Sequence, residues 1–162
     1  MTTVGYSVRQ IALHWIVFAL VAFQFVTGDN MSDLYRAAHG GRPTNIDPVW
    51  TLIHIAVGVA ILAAMVWRLL LRRAEGAPAP PKQHPALMWL AGAVHIGLYL
   101  DLIGGALVGL VAYFWAPSLG ELHELMSRQI LLMLFTLHVA GALWHAFAAR
   151  DGVLTRIILP AA

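Results

Sequence analysis

Histidine is the residue type in this chain best placed to do chemistry. Six of the eight histidines, His14, His54, His95, His123, His138 and His145, lie in or beside four long apolar stretches. An imidazole in hydrocarbon is costly and marks function by default. Several of them on facing helices of one bundle suit metal or haem ligation, which implies a membrane-embedded haem protein that moves electrons. Two bis-His pairs can be built, His14 with His138 and His54 with His123. At a rise of about 1.5 Å per residue, His123 and His138 stand about 22 Å apart along a helix. At about 100° per residue they are about 60° apart around it. That spacing serves two porphyrins stacked across one bundle. His145 lies on the same stripe as His138 and competes with it by depth as the ligand near one face. Otherwise it lines a quinone pocket or bonds a propionate.

Other residues could support such a site. Gly58 follows His54 by one turn and would let a flat macrocycle lie against the backbone, or would serve ordinary small-residue packing. Arg68 and Arg72 close a span and either pair with haem propionates or act as plain topology anchors. Asp101 sits mid-span in LYLDLIGG, where an acid is expensive. If it faces the bundle, its expected role is a structural hydrogen bond, the alternative being part of a proton path. Trp15, Trp50, Trp67, Trp89 and Trp115 fit interfacial belts and carry no assigned chemistry.

The elements that must hold these residues follow from composition. The 162 residues are 60% hydrophobic and 11% charged, with a mean hydropathy of +0.74; a soluble domain carries about twice that charge. A bilayer core of about 30 Å needs about 20 residues per helix. The expected spans are 8–27, 49–71, 86–115 and 122–149, forming one domain over 1–162. Gly28-Asp29-Asn30 is expected to stop the first span, with a loop over 30–48, either alone or carrying a short interfacial helix. A proline-rich connection, GAPAPPKQHP, follows the second. The third is expected to tilt or break near Gly104-Gly105. Segments this long and continuous are helices rather than barrel strands, so the expected fold is all-α, an integral membrane four-helix bundle. Cysteine is absent, which excludes a disulfide framework, Cys-ligated clusters and c-type haem attachment. The basic residues sit at span ends, so nucleic acid is not an expected partner. Arg9, Arg68, Arg72, Arg73, Lys82, Arg150 and Arg156 fall on one side, against Arg36, Arg42 and Arg128 on the other. The excess puts both termini in the cytoplasm. No small-residue cleavage site precedes the first span, which is expected to be retained.

The pieces resemble, in order and spacing, the prokaryotic cytochrome b561 family of di-haem membrane proteins. They are His14-Trp15, His54 with Gly58, RLLLR from Arg68 to Arg72, His95-x-x-x-Tyr99, His138, Ala142-Leu143-Trp144-His145, and RDGVLTR from Arg150 to Arg156. The resemblance covers residues 6–160. It implies two b haems, one toward each face, held by His14, His54, His138 and a His near the start of span four. The family places that last ligand 14 residues before the position of His138; here that position is Glu124, and His123 comes one residue early. A one-residue bulge would bring His123 into line, with His39 as a substitute. The resemblance also implies a bacterial inner-membrane protein that passes electrons between ubiquinone or menaquinone and a periplasmic partner, or superoxide. His95 and His145 are the candidates for quinone contact. The alternatives are a haem-b anchor subunit of a larger dehydrogenase or hydrogenase, and a haem-free transporter or scaffold.

Overall fold

The computed structural model describes residues 5–40, 47–81 and 83–160, without the side chains of residues 38 and 39. His39, Arg42 and Lys82 therefore lie outside the described structure. The described residues form helices joined by short non-helical connections and contain no strand. Four segments are long and apolar enough to cross a membrane: Val8–Ala37, Val49–Glu75, Pro85–Phe114 and Pro117–Ala149. Large apolar side chains such as Trp67, Leu70, Trp89, Leu100 and Phe147 stand exposed on the outside of the bundle. In water such a surface would aggregate; in a bilayer, lipid covers it.

Helix α1 (Val8–Gly40) runs without interruption past Gly28-Asp29-Asn30, where a stop was expected. Its 33 residues make about 50 Å of helix, longer than the hydrocarbon core. The extension is held by the fourth span rather than by its own caps. Arg128 pairs with Asp29, the Ser32 hydroxyl donates to Glu124 at 3.4 Å, and the Tyr35 hydroxyl donates to the Pro117 carbonyl at 2.5 Å. Helix α2 (Val49–Glu75) continues one turn beyond the expected end. It stops at Gly76, whose φ of 79° is open to glycine.

Helix α3 (Pro85–Phe114) starts with proline in its first turn and has the His84 ring accepting from the Ala86 N–H at 3.3 Å. The expected break at Gly104-Gly105 does not occur. Those glycines face the fourth span instead, with Met126 as the nearest neighbour of a side chain built at either position, at ordinary contact distance. The fourth span is composite: a 3-10 turn (Pro117–Leu119), α4 (Gly120–Glu124), a π-turn (Leu125–Ile130), α5 (Leu131–Trp144) and a second π-turn (His145–Ala149).

Leu13 and Val17 of α1 pack on Ile61, Ala64, Met65 and Leu71 of α2, and Tyr99, Leu102 and Ile103 of α3 close over them. The fourth span meets α1 through side chains, as in the stacked Phe18–Phe135 rings. The first and last described segments lie at one end of the bundle, here termed the terminal face. There Ser7 and Arg9 bond Glu75, the Trp15 indole donates to the Ile157 carbonyl, and Arg156 donates to the Ala79 carbonyl.

Candidate metal centres: two histidine pairs

At the terminal-face end, α1 presents His14 and α5 presents His138, with ring centroids 6.1 Å apart. His95 of α3 packs edge-on against His138 at 5.1 Å and bonds the Ala91 carbonyl through Nδ1 at 2.6 Å. Arg68 acts electrostatically on both His14 and His138. Its Nη1 is buried and has no hydrogen-bond partner among the described residues. A buried cation without an anion is costly, so an incoming carboxylate would be strongly favoured there.

Toward the far face, α2 presents His54 and α4 presents His123, with centroids 6.0 Å apart. The His123 Nδ1 lies 2.9 Å from the Gly105 carbonyl oxygen. A carbonyl can only accept, so Nδ1 carries the proton and Nε2 keeps its lone pair, the tautomer a metal ligand needs. Gly109 makes this possible: a Cβ there would lie 2.7 Å from Cε1 of His123. The pair borders a cavity lined by Gln24, Gly58, Asp101 and Gly105 among others. Gln24 Oε1, His54 Nδ1 and Asp101 Oδ1 are buried there without partners among the described residues.

A metal bound by one nitrogen of each of two imidazoles, at about 2 Å per bond, sets the ring centres about 6 Å apart. Both pairs match that span. The buried unpartnered Arg68 nitrogen is suited to a propionate, Gly109 makes room for the His123 imidazole, and Gly58 borders the far-face cavity. The residues present therefore fit a haem at each pair. Among the described residues no group of three or more His, Cys, Asp or Glu gathers for a bare metal ion. A planar macrocycle needs only two axial ligands.

The one-residue offset of His123 has a structural counterpart. The π-turn Leu125–Ile130 lies between it and α5. A π-turn accommodates one extra residue relative to an α-helix, so a spacing of 15 residues acts as 14. Ser127 stays within this turn by bonding the His123 carbonyl at 2.7 Å.

Other expected residues fall elsewhere. His145 does not join His14; its Nδ1 bonds Asp151 Oδ2 at 2.6 Å. Arg72 lies exposed in a groove between α2 and α3 with Leu69, Ile96 and Tyr99. Asp101 faces the bundle and is buried, but the structural hydrogen bond expected of it is missing at Oδ1. Two residues were not anticipated. Gln24 donates to the His54 carbonyl at 2.9 Å, and its isolation in VAFQFV was the available signal. Gly109 had none, because only the approach of another helix makes it matter.

The sequence pattern described as prokaryotic cytochrome b561 matches residues 5–160. The chain is 28% identical to "Cytochrome b562" of Cereibacter sphaeroides, covering 96% of each chain. It is 26% identical to "Probable superoxide oxidase CybB" of Yersinia pestis, covering 94% of this chain and 95% of the relative. It is 29% identical to "Heme A synthase" of a Bradyrhizobium strain, over 86% of this chain but 45% of that protein.

Proposed function

Because this chain belongs to the prokaryotic cytochrome b561 family, we propose that each of its two histidine pairs holds a b haem and that electrons cross the bilayer between them. The protein is a multi-pass bacterial membrane protein that transfers electrons on haem b. The observation that carries the two-haem reading is the pair of imidazole couples at 6.1 and 6.0 Å, one toward each end of the bundle. Haem b held by two imidazoles supplies a reversible one-electron iron couple with no open coordination position, which favours electron transfer over oxygen binding.

The chain's own residues do the rest. His14 and His138 hold the terminal-face group, and His54 and His123 the far-face group. The Gly105 carbonyl fixes the His123 tautomer and raises its basicity. Gly109 admits the His123 ring, Gly58 borders the cavity beside His54, and Arg68 would neutralise a propionate. Arg72 is placed to meet a second propionate or a lipid phosphate at the span end. The excess of arginine at the terminal face supports a cytoplasmic location for both termini, with the whole chain acting as one domain in the inner membrane.

At the terminal face, His95 and His145 would contact the electron-exchanging quinone, ubiquinone or menaquinone, beside the group held by His14 and His138. At the far face, His54 and His123 would hold the group that is placed to receive electrons from a periplasmic one-electron donor. The name of the Yersinia relative favours superoxide for that donor. Two superoxide anions would then yield two dioxygen molecules and, with one quinone and two protons, one quinol.

The test is a reduced-minus-oxidised absorption spectrum of purified protein with haem quantified per chain. About two b haems are expected, falling to about one in either His14→Ala or His54→Ala. A colourless, folded preparation overturns the reading. A single haem that survives both substitutions overturns the ligand assignment. Superoxide-driven quinone reduction by the two-haem protein, absent from a haem-depleted one, checks the proposed substrates.

A further inference from the structure

Asp101 is the one buried charged residue among those described, 6% exposed in the middle of α3. Ligation of the haems makes no use of it. It lines the far-face cavity, and Oδ1 has no hydrogen-bond partner. Across that cavity Gln24 Oε1 is likewise buried and unpartnered. Two acceptor atoms without a donor are costly in a site like this. A proton on the carboxyl, relayed by water, supplies one.

Its depth is informative. Asp101 precedes Gly105, the partner of His123, by one helical turn, about 6 Å along the axis. It therefore stands on the terminal-face side of the far-face pair, between the two haem positions. The other titratable or charged groups around the cavity are Tyr35 from α1, His54 from α2, Tyr113 from α3, and His123, Glu124 and Arg128 from the fourth span. Tyr35 bonds Pro117, Glu124 bonds Ser32, Arg128 pairs with Asp29, and the His123 Nδ1 proton is committed to Gly105. Tyr113 is exposed, and His54 is reserved as a ligand. On α2, Arg68 acts on the other pair. Asp101 is thus the buried acid whose charge no neighbouring group balances.

We propose that Asp101 is a proton-binding site coupled to the far-face haem: its carboxylate takes up one proton when an electron reaches that haem and releases it when the electron moves on. The inference rests on the two-haem reading above. An added electron and a carboxylate charge repel strongly in a low-dielectric cavity, and protonation removes the repulsion. The electron comes from the periplasmic donor. The proton comes from water entering the cavity, whose lining includes Ser32, Glu124 and Arg128. The only bond made or broken at Asp101 is its O–H.

The experiment is redox titration of both haems in wild type and Asp101→Asn between about pH 6 and 9. In wild type the midpoint of one haem is expected to fall with pH, at a slope approaching about 59 mV per tenfold change in proton concentration. In Asp101→Asn that slope is lost. Equal slopes in both proteins, or a flat wild-type titration, overturn the inference while leaving the haem reading intact. Wild-type protein without haem overturns the haem reading itself, and this inference with it. A measurement on wild type alone guards against a variant that does not fold. Reduction in weak buffer with a pH-indicating dye should show proton uptake, and a redox-difference infrared spectrum should gain a protonated-carboxyl band. No uptake and no band overturn the proposal.

Discussion

At the scale of single residues, ligand geometry rests on an absent side chain. Gly109 lies under the His123 ring, and a methyl group there would lie 2.7 Å from Cε1, well inside contact distance. Gly109→Ala should displace the ring, break its bond to Gly105 and halve the haem content. Gly141→Ala, with open space at its Cβ position, should leave both haems in place. Haem quantification of the two variants checks this. His145 and Asp151 make a second residue-scale point. Burial opposes the Asp151 charge, but the hydrogen bonds from His145 and the Val153 N–H, together with the nearby imidazole, outweigh it and hold the carboxyl below its usual range. A depressed carboxyl stabilises the folded state above its unfolded value of about 4 and loses that contribution as pH falls through the folded value. Melting in detergent from pH 6 to pH 3 should fall more steeply for wild type than for Asp151→Asn. The difference should be small, as for surface pairs in general.

At the scale of elements, the π-turn Leu125–Ile130 decides whether His123 faces His54. It is placed to absorb the extra residue that the family resemblance implies before the position of His138. Deleting exposed Gln129 should convert the turn to plain α-helix and keep both haems, because His123 would then sit 14 residues before its partner position. Inserting an alanine after Gln129 should rotate His123 by about 100° and lose the far-face haem alone. Absorption spectra with haem counts distinguish the outcomes, and loss of haem on deletion would mean the turn is not acting as a one-residue insert. Helix α1 carries a related lesson. Its continuation to Gly40 depends on Asp29, Ser32 and Tyr35 finding partners on the fourth span, so a local stop signal was overridden by contacts from another helix.

At the scale of the whole molecule, the fourth span meets α1 through side chains, and the two histidine pairs bridge between helices. Bound groups at those pairs add stability by mass action, since the unfolded chain cannot hold them. Protein made under haem limitation should melt at a lower temperature in detergent than loaded protein, and its fourth span should be cut sooner by protease. Unchanged melting would mean the bundle is complete without haem. Reporter fusions to the C-terminus test the orientation: a fluorescent protein folded in the cytoplasm should be bright there, and an alkaline phosphatase fusion inactive.

Much of this was determined by the amino-acid sequence alone. Four spans, an all-helical fold and the histidines as ligand candidates follow from local properties, namely run length, the absence of backbone partners in lipid and the cost of an imidazole there. The tertiary structure decided which histidines meet: His14 turns to His138 while His145 turns to Asp151, and His123 reaches His54 with the help of a π-turn and Gly109. It also carried α1 past Gly28, kept α3 unbroken, and left Asp101 Oδ1 without a hydrogen-bond partner among the described residues. The reason is common to all of these. Lipid is as apolar as the bundle interior, so a membrane helix is hydrophobic around its whole circumference and no local period marks its inward face. The rotation of one helix against another, and hence every pairing across the bundle, is set only when the four pack together.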